Sequence, residues 1–343
     1  MIELNIEKLT SLCGVSGNEQ NVAEAVKGMF EKYCDTVYTD ALGSVIGIKK
    51  GHGNGRVMIE AHIDEIGLMI TKITDDGFLK FTNIGGIDTR ILPGNEVTVH
   101  GKKDLFGVVG AIAPHLLSAK ELSSVIPKEK LFIDIGMSKS EAEKVVSIGD
   151  TVTFNAEFTM LGKRHIASKS QDDRTSVCVL LEVLKQLDET ELPFDLYVVG
   201  AVQEEVGLRG STTVTYGIDP DFAVAIDVCH GDTPDASENT FPLGDGTVFE
   251  VGPNISKKLA NNIIKSMDEN KIKYNIEACG GNTGTDAWAM QISKNGVPTA
   301  LFSIPLRYMH TPYETVCTDD VKETANAIAQ FLKGLKKAGD ALC

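Results

Sequence analysis

Cysteine, aromatic residues and basic charge are scarce or unorganised in this chain, and each shortage closes off a class of function. Seven cysteines are scattered over 343 residues, with no CxxC pair and an odd total. That pattern suits free thiols in a reducing compartment and excludes a disulfide framework. No run of about 18 apolar residues occurs, so no membrane partner is expected. The first residues, Met1-Ile2-Glu3-Leu4-Asn5-Ile6-Glu7-Lys8, carry charge and no apolar signal core, and a cytoplasmic protein is expected. Lysine and arginine number 33 against 48 acidic residues, a formal charge of −15. No basic stripe interleaved with aromatics appears, so no nucleic acid partner is expected.

What is present is carboxylate in unusual places. Glu204-Glu205 follows the apolar run Leu196-Tyr197-Val198-Val199-Gly200-Ala201-Val202 after a single residue, Gln203. Two adjacent carboxylates ending a buried-strand pattern are costly to desolvate unless a cation holds them. Four further segments carry the same chemistry: His62 and Asp64 after a strand-like run, Asp172-Asp173-Arg174 opening a helical one, Asp227 closing Phe222-Ala223-Val224-Ala225-Ile226, and His310 in Arg307-Tyr308-Met309-His310. Two histidines with surplus carboxylates fit a divalent metal site and metal-dependent hydrolysis.

The organisation of the chain agrees. Its length allows two domains. Ser16 and Glu19 read as a capping box for a helix carrying Val22, Ala23, Val26 and Phe30, and the segments Ser44–Ile48 and Arg56–Glu60 read as a hairpin. From about Gly67 to Lys163 short β-type runs dominate, including Glu96–His100 and Thr151–Phe154. After that, helix and strand patterns alternate up to a closing helix near Val321–Ala338. The expected fold class is α/β, a mostly parallel sheet with helices on both faces plus an inserted small β-rich domain. The catalytic domain is expected over 1–67 and 165–343, and the insert over 68–164. In such sheets polar sites collect beyond the carboxyl ends of the strands, where His62, Glu204, Glu205 and Asp227 all fall.

Each residue has a plainer reading. His62 alone reads as a core histidine satisfied by hydrogen bonds. Asp64, two positions on in an extended segment, projects to the same side and can orient it. Asp172-Asp173-Arg174 alone reads as a helix start favoured by the helix dipole, with Asp172 free to turn toward a metal. Of Glu204 and Glu205, one can ligate while the other takes a proton from water. His230 is a minor competitor for a ligand role, and His100, His115 and His165 read as structural.

Taken together, Ala61-His62-Ile63-Asp64-Glu65-Ile66-Gly67, Asp172-Asp173-Arg174, Gln203-Glu204-Glu205-Val206-Gly207, Ala225-Ile226-Asp227-Val228, Gly284-Thr285-Asp286-Ala287 and Arg307-Tyr308-Met309-His310-Thr311-Pro312 resemble the TET-type aminopeptidases. These are the glutamyl and leucyl aminopeptidase family of co-catalytic metallopeptidases, some of which carry an endoglucanase or cellulase label. The resemblance implies two divalent ions per subunit, zinc or cobalt. His62, Asp172 and Asp227 would hold one, and Asp172, Glu205 and His310 the other. Glu204 would be the general base and acid, Asp64 would orient His62, and the insert would be a dimerisation domain building a tetrahedral dodecamer. The substrate implied is a peptide with a free N-terminus. Ser170-Gln171 stands where small or apolar residues are more usual before the bridging aspartate. A di-metal carboxypeptidase or deacylase would use the same inventory, and a metal-free glycoside hydrolase would need only two carboxylates.

Overall fold

The computed structural model describes residues 2–234, 236 and 239–343. The chain opens with helices α1 (Ile2–Thr10) and α2 (Gln20–Phe30), then strands β1 (Thr36–Thr39), β2 (Val45–Lys49) and β3 (Gly55–His62). Six strands follow: β4 (Gly67–Ile73), β5 (Leu79–Ile84), β6 (Glu96–His100), β7 (Asp104–Gly110), β8 (Phe132–Asp134) and β9 (Thr151–Phe154). They close into a barrel in the order β4-β5-β8-β7-β6-β9, with helices α3 (Ala119–Leu122) and α4 (Lys139–Val145) between its strands in sequence.

Beyond the barrel come β10 (Thr159–Leu161), β11 (His165–Ser168), α5 (Gln171–Gln186), β12 (Phe194–Ala201), α6 (Arg209–Ile218) and β13 (Phe222–His230). The remainder is β14 (Thr247–Val251), α7 (Lys257–Glu269), β15 (Tyr274–Ala278), α8 (Ala287–Gln291), β16 (Thr299–Arg307), β17 (Glu314–Cys317) and α9 (Thr318–Gly334). Among the described residues β1–β3 and β10–β17 form one eleven-stranded sheet. Its centre, β12-β3-β13-β16, is parallel; β1-β2-β12 on one side and β16-β17-β11-β10 on the other are antiparallel, and β14 pairs antiparallel with β16 and parallel with β15.

The centre is parallel because each of its strands is an almost continuous apolar run, buried on both faces. Helix α5 packs with α1 and α9 against the sheet, and α6 packs with α8 against β12, β3, β13 and β16. The α/β architecture with helices on both faces is as the sequence predicts. Two separate apolar cores result, one under the large sheet and one inside the barrel.

Two local expectations fail. The segments read as a hairpin do not pair, because β12 lies between β2 and β3; β2 pairs instead with β1. The turn-rich loop after Lys50 leans on the chain before β12, where His52 donates its backbone N–H to Leu192 O at 2.9 Å. Nor is there a capping box at α2. Ser16 Oγ donates to Asp64 Oδ2 at 2.6 Å, and Glu19 Oε1 accepts the Gly17 N–H at 2.7 Å. A buried carboxylate is a strong acceptor for the hydroxyl proton, whereas the free N–H groups of an exposed helix start can be served by water.

Candidate active site

Parallel strands deliver the site. His62 is the last residue of β3 and pairs in register with Ala201, the last of β12, which carries the chain to Glu204 and Glu205. Asp227 lies within β13, opposite Ser303 of β16, and the strand runs on to His230 instead of ending before Asp227. Asp172 stands at the start of α5 and His310 in the loop between β16 and β17. All of them converge at one end of the parallel strands, as open α/β sheets require.

The side chains meet. His62 Nε2 is 3.1 Å from Asp172 Oδ1 and 3.9 Å from Glu204 Oε2. His310 Nε2 is 3.3 Å from both Asp172 Oδ2 and Glu205 Oε1. His62, Asp172 and Glu205 form one group with ligand atoms within 4.8 Å of one another, and His62, Asp173 and Asp227 form a second. His62, Asp172, Glu204, Glu205, Asp227 and His310, with Gly86, Gly207, Leu208, Val228, Asn282, Gly284 and Met309, line a cleft of about 550 Å³. A larger cleft, about 1290 Å³, lies between the barrel and the N-terminal helices but contains none of these groups. Chemistry, not size, identifies the site.

Among the described residues no lysine or arginine lines the cleft, so His62 and His310 are the groups there that can carry positive charge. Burial pushes Glu204 up to about 10, with the charges of Asp227, Asp286 and Glu205 adding to the rise. Asp227 is also raised by burial and by Asp172. Burial acts on Asp172 in the same direction, but hydrogen bonds from His310 and His62 pull its carboxyl below the ordinary range. His310 is lifted to about 11 by Asp172 and Glu205, against its own burial. Carboxylates crowded together with imidazoles are a donor set that suits a divalent metal. The residues fit such an ion.

Asp64 holds the arrangement from behind. It is fully buried and sits 3.4 Å from His62 Nδ1, a charge contact at the long edge of hydrogen-bond reach. Its two oxygens also accept the backbone N–H groups of Glu204 at 3.0 Å and Glu205 at 3.2 Å. One carboxylate thereby faces His62 and anchors the two residues after β12.

Several participants are absent from the sequence reading. Asp173 and Arg174 stand in the first turn of α5 as read, but both are fully buried, and Asp173 Oδ2 accepts the His62 N–H at 3.3 Å. Arg174 donates to Ile63, Leu9 and Leu12 carbonyls and to Glu65 Oε1 at 3.0 Å. Glu65 also receives Lys169 Nζ at 2.6 Å and the Ser170 hydroxyl. The barrel contributes a wall. A Cβ on Gly86 would lie 3.0 Å from His310 Nδ1, and one on Gly85 (φ +77°) would lie 3.1 Å from Glu205 Oε2. A carboxylate in an apolar strand, as at Glu60 or Glu314, was the available signal for the buried acids. Nothing in the sequence signals the glycine wall.

Backbone strain clusters here too. Ser170, Gln203, Leu208, Tyr308 and His310 all have φ between 57° and 63°, the left-handed region uncommon outside glycine. Such conformations persist where the surroundings hold them, typically around functional sites.

Comparison with known proteins agrees with this geometry. The family model for M42 glutamyl aminopeptidase matches residues 43–326, a span that contains every residue of the cluster. A lysyl aminopeptidase of Pyrococcus furiosus is 36% identical over 337 residues, covering 96% of each chain. A TET aminopeptidase of the archaeon Thaumarchaeota archaeon SCGC AB-539-E09 is 30% identical with a TM-score of 0.93, covering 97% of each chain. A TET1 peptidase of Pyrococcus horikoshii, which can assemble into a tetrahedron or a large octahedral shell, is 35% identical with a TM-score of 0.87, covering 98% of this chain and 100% of its own. With the fold, the donor cluster and the likeness all extending along nearly the full chain, this protein belongs to the M42 glutamyl aminopeptidase family and is an aminopeptidase, a hydrolase that acts as an exopeptidase.

Proposed function

We propose that the cluster is a two-ion centre, with His62, Asp172 and Asp227 holding one ion and Asp172, Glu205 and His310 the other. One observation carries this reading: the oxygens of Asp172 face apart, Oδ1 toward His62 and Oδ2 toward His310, as a bridging carboxylate must. Zinc or cobalt there would act as a Lewis acid on the scissile carbonyl and lower the pKa of water. Glu204 takes the proton of the attacking water and returns it to the leaving amine. Cations held by the neighbouring carboxylates would favour its ionised form, the form that accepts a proton. Asp64 orients His62 and, through the amides of Glu204 and Glu205, keeps the base beside the ions. The substrate is a peptide with a free N-terminus, processed in the cytoplasm.

We further infer a homo-oligomer in which residues 68–164 act as the dimerisation unit, with the catalytic unit formed by 1–67 and 165–343. Phe106, Ile112, Leu116, Leu122 and Val125 of that insert are 45–72% exposed, apolar area that a partner subunit would cover. A dodecamer built from such dimers is the expected particle, and sedimentation velocity measures it.

The decisive variant is Glu204→Gln. Turnover of aminoacyl nitroanilides should fall about 10²–10⁴-fold while bound metal stays at the wild-type level. Normal turnover removes Glu204 from the mechanism. Metal-free protein reloaded with zinc or cobalt alone separates the ions, and N-acyl substrates should remain uncut, which sets the enzyme apart from a deacylase.

A further inference from the structure

Glu314 opens β17 and is 2% exposed. Its two carboxylate oxygens serve different parts of the fold. Oε2 accepts the backbone N–H of Asp172 at 3.1 Å, at the start of α5, and Oε1 accepts that of His310 at 2.8 Å, in the loop before β17. Those same two residues meet through their side chains, with His310 Nε2 3.3 Å from Asp172 Oδ2.

Neither backbone lies in regular structure. Asp172 has ψ 104°, away from the helix that follows it, and His310 has φ +59°. Chain outside a helix or a strand ladder lacks repeating hydrogen bonds to fix its course. The Glu314 carboxylate takes over that function from the side. On the other flank Asp64 does the same for the N–H groups of Glu204 and Glu205. The cluster is therefore held between two buried carboxylates, each gripping a pair of main-chain amides.

We propose that Glu314 is a positioning residue: by receiving the amides of Asp172 and His310 on its two oxygens it sets the spacing of their side chains and so the affinity of the ion they share with Glu205. This rests on the two-ion reading above. The chemistry of the substitutions makes it testable. Glutamine offers one acceptor and one NH₂ donor, so it satisfies one amide and turns a donor against the other. Aspartate keeps both acceptors on a shorter stem.

The experiment titrates metal-free wild type, Glu314→Gln and Glu314→Asp with Zn²⁺ alone against a chromophoric chelator. It then records the absorption spectrum of each protein loaded with Co²⁺, and finally kcat and KM on leucine nitroanilide. For Glu314→Gln the weaker Zn²⁺ affinity should drop about 10–100-fold, as when a group orienting a ligand is lost, and the cobalt spectrum should change. kcat should fall while KM moves little, and Glu314→Asp should recover part of each loss. A merely structural role lowers the melting temperature but leaves ion affinity and the cobalt spectrum of the folded protein alone. Wild-type affinity and spectrum in Glu314→Gln overturn the proposal. Should that variant not fold, Glu314→Asp decides by the same two readouts: weakened Zn²⁺ supports the proposal and unchanged Zn²⁺ overturns it. A wild type that binds two ions without cutting nitroanilides overturns the peptidase mechanism instead, and the titration still judges Glu314.

Discussion

The barrel and the large sheet bury different kinds of residue. Inside the barrel lie Leu68, Ile70, Leu79, Val97, Val99, Ile133 and Val152, and among its described residues the buried polar side chains are two threonines, Thr151 and Thr153. Its ion pairs, such as Lys130–Glu121 and Lys139–Asp75, stay at the surface. Beneath and around the large sheet are buried Glu60, His62, Asp64, Glu65, Lys169, Asp172, Asp173, Arg174, Asp227, Asp286 and Glu314. Apolar packing holds a fold together at lower cost than desolvated charge, so a core assembled for stability alone resembles the barrel. The concentration of ionisable groups in one core and not the other marks where the chemistry is done.

Substitution should expose the difference. Glu65→Ala leaves Arg174 and Lys169 buried without their counter-charge, and urea denaturation should show a loss of about 3–5 kcal/mol. A loss no larger than that of a surface change would mean that buried charge matters no more here than outside. Ile133→Ala opens a cavity in the barrel core and should cost about 2–5 kcal/mol, with kcat of the folded enzyme unchanged. A reduced kcat would tie the barrel core to the reaction.

Acid separates the regions next. Burial raises the Glu65 carboxyl, but Arg174 and Lys169 outweigh it and hold the group at about 2, below its ordinary 4.5. A depressed carboxylate contributes stability that is present above pH 4.5 and is lost as pH falls toward 2, here on the order of 3 kcal/mol. Glu60 has the opposite sign: burial lifts it to about 8, so its contribution, present below pH 4.5, is lost as pH rises through 8. Hydrogen exchange on the metal-free chain should show the large sheet losing protection at both extremes while the barrel keeps it. Equal losses in both would erase the contrast. Smallest of all, Lys130→Ala at the exposed Glu121 pair should leave the melting temperature unchanged within error.

What could be read from the sequence follows the same divide. The metal-ligand candidates stood out because a carboxylate or histidine at the end of an apolar strand is chemically conspicuous, and all five converge in space with Glu204 and Asp64 beside them. The parallel centre was legible for a related reason: Val57–Ile59 and Val198–Val199 are buried on both faces and need no alternation. Strand order was not legible, since the insertion of β12 between β2 and β3 depends on contacts far apart in sequence, as in the pairing of Val199 with Ile46, 153 residues away. The hydroxyl of Ser16 was assigned to a helix end because local spacing suggested it, whereas its true acceptor, Asp64, is 48 residues away. The partners of Glu314 and Arg174 are hidden for the same reason. Their roles lie in whose amides and carbonyls they meet, and a linear pattern carries no trace of that.

Gly85 and Gly86 follow β5 of the barrel, yet they stand over Glu205 and His310 of the neighbouring unit. The two units are consequently not interchangeable parts. Transplanting a foreign barrel onto this sheet would import a new ceiling for the cleft, and a methyl at either position would press within 3.0–3.1 Å of His310 or Glu205 and force that side chain to shift. Modular recombination within such a chain is limited by a pair of missing methyls.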